Sequence, residues 1–85
     1  MKEITIDCVG IETAQCLHEK LKEALGFPEF YGHNLDALHD CLTEISEDTK
    51  LTLEHFDSLG RFAAGFRLVL NDAEEENSHL FVYLA

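Results

Sequence analysis

The first apolar pattern in the chain is an alternation. In KEITIDC, residues 2–8, Ile4, Ile6 and Cys8 alternate with Glu3, Thr5 and Asp7. That is the two-residue period of a half-exposed strand. Gly10 breaks it, and Thr13 is placed to cap the next segment. From Ala14 to Leu25 the period becomes helical. Ala14, Leu17, Leu21, Ala24 and Leu25 form a core stripe, and Glu19, Lys20, Lys22 and Glu23 a solvated face, with His18 off the stripe and also in solvent. Gly26 stops this helix and Pro28 prevents its continuation.

A second helix is expected from about Leu35 to Glu44, on a stripe of Leu35, Leu38, Leu42 and Ile45. Asp36, Asp40 and Thr43 fall on a different face. Asn34 is suited to cap the helix, since its side-chain oxygen can accept from a free N–H. Asp36 in the first turn gains from the helix dipole. Asp40 lies one turn on, and like charges at that spacing repel by a few tenths of a kcal/mol, about 0.2–0.5. A pair that costs stability points to a cation outside the helix.

Residues 46–49 read as a polar connection and Lys50–Glu54 as a second strand. His55–Leu59 is a helical turn or the start of a longer helix, with Gly60 as the joint. Phe62, Phe66, Val69, Leu70 and Ala73 then mark an amphipathic helix. Gly65 weakens it by about 1 kcal/mol relative to alanine, which a close helix–sheet approach would explain. The helix ends in DAEEEN, where acids oppose the dipole, and is stopped by Asn77 and Ser78. Leu80–Leu84 (LFVYL) is a nearly continuous apolar run, as in a strand covered on both faces. Strands separated by helices imply right-handed crossovers. The fold class expected is α/β, a three-stranded parallel sheet packed by helices.

Composition adds a charge. Eighty-five residues make one domain, 1–85, with a small core. Seventeen acidic residues against six Lys and Arg give a formal net charge of -11. Nucleic acid and anionic membrane would both repel such a chain, whereas a basic protein would attract it. The three cysteines have no CxxC spacing and read as buried thiols in a reducing compartment. Met1-Lys2-Glu3 leads straight into the first strand, with no signal peptide, and no apolar run reaches the length of a membrane span. A cytoplasmic location is expected.

Catalytic and cofactor signatures are missing: no GxGxxG, GxxxxGK[ST] or GxSxG occurs. Cys41, beside the second helix's stripe, reads as a structural thiol. His33, Asp36, His39 and Asp40 are candidate metal ligands by residue type, but their spacing matches no known signature, and no metal or cofactor is expected. Phe30 and Tyr31 are adjacent rings that cannot both point inward, so at least one belongs at the surface. Exposed aromatics flanking acids have the composition of a protein interface.

The segment FPEFYGHNLDALHDCLT, residues 27–43, resembles the barstar family, intracellular inhibitors of barnase-type ribonucleases. The likeness is close over these residues and weaker, in element order and length, over the rest. It implies the same small three-stranded fold and a non-enzymatic inhibitor whose second helix and preceding loop plug a ribonuclease active site. Carried over residue by residue, Asp40 would lie among the enzyme's phosphate-binding cations, with Asp36 one turn earlier. Phe30 and Tyr31 would be the loop aromatics, Gly32 and Asn34 would line the same surface, and Thr43 and Glu44 would continue it. Asp72 would be a late acidic contact, with Glu76 one turn on. His39 stands where the family has tryptophan, and Phe30 where it has tyrosine. The partner implied is a basic, barnase-like ribonuclease bound 1:1 by a chain that is monomeric when free. The rival expectations are an acidic module with a basic partner that is not a ribonuclease, and a small metal-binding protein.

Overall fold

A computed structural model describes residues 1–85. The elements are β1 (Lys2–Asp7), α1 (Ala14–Leu25), α2 (Leu35–Thr43), β2 (Thr49–Glu54), a 3₁₀ segment (Phe56–Phe62), α3 (Ala63–Glu76) and β3 (Leu80–Leu84). The helical termini obey the capping chemistry of the sequence. Thr13 Oγ1 accepts from the Cys16 N–H at 3.1 Å, and Gly26 closes α1 in the left-handed conformation that favours glycine. The joint at Gly60 is real: its φ of 76° and ψ of -135° break the 3₁₀ segment internally, three residues before α3 begins.

All three strands are parallel, in the order β1-β2-β3. Right-handed crossovers that add strands in one direction carry both helical connections to the same face. Burial agrees with that geometry. Ile6, Thr49, Leu51, Leu53 and Leu80 are buried beneath the helices, whereas Glu3, Thr5, Asp7, Glu54, Phe81 and Tyr83 on the alternate positions are exposed. The expectation that LFVYL is covered on both faces is therefore wrong. β3 is an edge strand of a sheet with one open face, and its aromatic residues sit on that face, where Lys50 Nζ lies 4.9 Å from the centre of the Tyr83 ring.

The core joins the packed sheet face to one stripe of each helix: Leu17 and Leu21 of α1, Leu38 and Leu42 of α2, and Phe66, Leu70 and Ala73 of α3. Truncating a side chain this deeply buried, such as Leu42→Ala, costs about 2–5 kcal/mol. Gly65 is explained by a helix–helix contact rather than the expected helix–sheet one. A Cβ there would come within 3.0 Å of Leu35 Cδ1, so the glycine lets α3 lie close against the first turn of α2. No helix is long and apolar enough to cross a membrane.

Candidate functional site

The start of α2 is built by local side-chain chemistry. Asn34 Oδ1 accepts from the Ala37 N–H at 2.8 Å, and its Nδ2 donates to the Gly32 carbonyl at 3.2 Å. A Cβ on Gly32 would stand 2.9 Å from that Nδ2. A larger residue at Gly32 would therefore make the Asn34 amide shift.

The loop before α2 is fastened to α1. Tyr31 is only 4% exposed, and its hydroxyl lies 2.5 Å from Nδ1 of His18, with which it hydrogen-bonds. Its ring packs 5.0 Å from that of Phe27. His33 holds the left-handed conformation at φ 51°, unusual for a side chain of this size. Its Nδ1 donates to the Tyr31 carbonyl at 2.9 Å and its Nε2 pairs with Glu19 of α1. With the backbone held at both ends, Phe30 is turned outward and is 88% exposed. The expectation that at least one of these adjacent rings lies at the surface is met by Phe30. Tyr31 accordingly serves the surface from beneath.

His18 departs from expectation, since it is 3% exposed rather than solvated. Burial, with His33 nearby, holds its pKa below the usual imidazole value, which favours the neutral ring. Burial likewise pushes the Tyr31 phenol well above its usual value. The signal was present: Ala14, His18, Leu21 and Leu25 are spaced i, i+4, i+7, i+11, an alternative stripe that includes the histidine. No comparable periodicity marks the Glu19–His33 pair, which joins residues 14 apart.

Asp36 and Asp40 of α2 and Glu44, the residue that ends it, are exposed, as are Asp72 and Glu76 of α3. The two sets are brought together by the α2–α3 packing. Asn77, just past α3, is buried, and its Nδ2 donates to both the Leu42 and Ile45 carbonyls at 2.9 Å. Nearer the start of α2, His39 Nε2 lies 2.5 Å from Glu76 Oε2 of α3. The acidic end of α3 is therefore an extension of the α2 face. Asp36, Asp40, Glu44 and Asp72 enter no ion pair, because the ion pairs of this chain lie elsewhere or at His39–Glu76.

Between loop and helix runs a cleft of about 290 Å³, bounded by Phe30, Tyr31 and Gly32 on one side and by Asp40 and Glu44 on the other. It is open and small, unlike an enclosed substrate pocket. The Thr43 hydroxyl is turned back into the helix, donating to the His39 and Asp40 carbonyls at 3.0 Å. Burial raises the pKa of the Cys41 thiol, with Glu44 and Asp40 adding to it, so the thiolate needed for nucleophilic chemistry is disfavoured. His33 and His39 are engaged by Glu19 and Glu76 respectively. No group of three or more His, Cys, Asp or Glu side chains converges as metal ligands would.

The family model described as Barstar (barnase inhibitor) matches residues 1–84. A protein of Bacillus subtilis (strain 168) named "Putative ribonuclease inhibitor YrdF" is 41% identical over 81 residues, covering 89% of this chain and 89% of its own length. The chain belongs to the barstar family.

Proposed function

We propose that this chain is a non-enzymatic inhibitor of a secreted, barnase-type ribonuclease, which it binds 1:1 through α2, the preceding loop and the end of α3. The observation that carries the reading is the row of exposed, unpaired carboxylates, Asp36, Asp40, Glu44 and Asp72, set beside the projecting ring of Phe30. A ribonuclease active site is rich in Arg and Lys because it binds phosphate. Carboxylates fixed on a rigid helix take the place of that phosphate, and an exposed ring beside them supplies the apolar anchor. Asp40, at the cleft, is assigned to the centre of the contact and Asp36 to the turn before it. Gly32, Asn34, His39, Thr43, Glu44, Asp72 and Glu76 surround them.

Family membership and the relative named as a ribonuclease inhibitor support the inhibitor role. The net charge of -11 supports a basic partner and a rapid, salt-sensitive encounter with it. Residues 1–85 act as one domain, monomeric until bound, in the cytoplasm of the producing cell, where protection from such a nuclease is needed.

The experiment is a titration into a ribonuclease assay with a barnase-type enzyme at low and high salt. Inhibition is expected at one equivalent, with an association rate that falls as salt rises. Asp40→Ala should abolish inhibition while its urea unfolding midpoint stays at or slightly above the wild-type value, because the Asp36–Asp40 repulsion is lost. An Asp40→Ala protein that inhibits as well as the wild type would refute the site, and a wild-type protein that never inhibits would refute the function.

A further inference from the structure

His39 is half-buried on α2, and the side chains that face it are acidic from both helices. Asp40 adjoins it and Asp36 lies one turn back on α2, while Glu76 and Asp72 approach from α3. No lysine or arginine forms an ion pair with any of these carboxylates. The imidazole is therefore the only basic group paired on this face, and it occupies one of the carboxylates that a basic partner would seek. The Glu76 hydrogen bond, with the charges of Glu76, Asp40 and Asp72 behind it, holds the His39 pKa above the usual imidazole value, against a smaller opposing effect of burial.

We propose that His39 is a specificity-determining residue that competes with the cationic partner for Glu76, so that docking of a basic protein expels a proton from the imidazole. The inference rests on the inhibitor reading of this surface. In the free protein, the protonated His39 and the Glu76 carboxylate form a pair with no net charge. A partner that brings a guanidinium or ammonium group to Glu76 replaces the imidazolium there. It also places positive charge beside the ring, which favours the neutral form. The N–H bond breaks, its proton passes to solvent, its electron pair stays on the ring nitrogen as a lone pair, and Glu76 remains a carboxylate throughout.

Linkage fixes the direction of the pH dependence. Where His39 is protonated, binding must remove a proton, so affinity rises with pH. Above its pKa there is nothing to remove, and the dependence levels off. One proton sets the limit at about tenfold in affinity per pH unit. The face would thus select partners with a cation able to reach Glu76, and bind them more weakly in acid.

The test is calorimetry of the full chain with a barnase-type ribonuclease from about pH 5.5 to about pH 8.5, the range that brackets imidazole titration. Wild type and His39→Gln are compared in buffers of different ionisation enthalpy. Gln is neutral at all these pH values and can still donate to Glu76. Titrations belonging to the enzyme appear in both proteins, so the difference isolates His39. The wild type is expected to release up to about one more proton than His39→Gln and to gain affinity more steeply with pH. Equal proton counts and parallel pH profiles overturn the proposal while leaving the inhibitor reading intact. A wild-type protein that binds at no pH overturns both. A readout without any partner is the His39 ring titration by NMR, whose midpoint should fall in Glu76→Gln. An unchanged midpoint also overturns the proposal.

Discussion

The side-chain amide of Asn77 donates to the carbonyl of Leu42 at 2.9 Å, across 35 residues of sequence. The same Nδ2 donates to Ile45, and Asn77 Oδ1 accepts from the His79 N–H at 2.9 Å. One buried amide thereby ties the end of α2 to the end of α3 and to the entry of β3. This clamp sets the distance between the two halves of the acidic face.

Asn77→Ala is accordingly expected to destabilise the fold by about 1–3 kcal/mol, the cost of leaving buried carbonyls without donors. Asn77→Asp should be no better, since an ionised carboxylate cannot donate and would bring charge to the same carbonyls. Urea unfolding checks this through a lowered midpoint at unchanged slope. A midpoint equal to that of the wild type in both variants would show that the clamp contributes nothing.

The two perturbed histidines make opposite contributions to stability against pH. His18 has its folded pKa depressed below 6.5 by burial. The unfolded chain binds that proton more readily, so the His18 contribution is present above about pH 6.5 and is lost as pH falls below it toward the folded value. His39 has its pKa raised above 6.5, first by Glu76. Its contribution is present below that value and is lost as pH rises through the raised pKa. In His18→Gln, the decline of thermal stability in mild acid is expected to be shallower than in wild type. In His39→Gln it should be steeper, because the compensating histidine is gone. If the two variants give superimposable stability–pH curves, the assignment of opposite signs is wrong.

The scaffold is readable wherever a single periodicity dominates. The limits of α1 and β3 and the Thr13 and Asn34 caps come from spacing and short-range hydrogen-bonding chemistry. β2 begins at Thr49, one residue before the expected start, because Thr49 is buried in register with Leu80. What cannot be read joins distant residues. The polarity of His18 points to solvent, yet Tyr31 satisfies its ring nitrogen inside the core. The Glu19–His33 and His39–Glu76 pairs and the Asn77 clamp carry no local signal, since each depends on how whole helices meet. The exposure of Phe81 and Tyr83 is hidden for a related reason. An apolar run does not say whether a helix covers its second face, and in this chain both crossovers leave that face open.

That open architecture leaves β3 at the sheet edge, where unpaired N–H groups invite another strand. The Val82 N–H is not available, because it donates to Glu74 Oε2 of α3 at 2.6 Å. Glu74 thus occupies a position where a second β3 would otherwise pair, and it sets a negative charge there. Glu74→Ala removes both effects next to two exposed aromatic side chains. It is expected to raise concentration-dependent self-association, seen by sedimentation velocity as species heavier than the 9.6 kDa chain. Glu74→Gln keeps an acceptor for the N–H and should associate less than Glu74→Ala. The excess association of the variant over wild type should shrink with salt if charge repulsion contributes, because salt screens that repulsion, and be insensitive to salt if hydrogen bonding alone protects the edge. Sedimentation of Glu74→Ala as a single 9.6 kDa species at every concentration would show that the edge is protected by something other than this carboxylate.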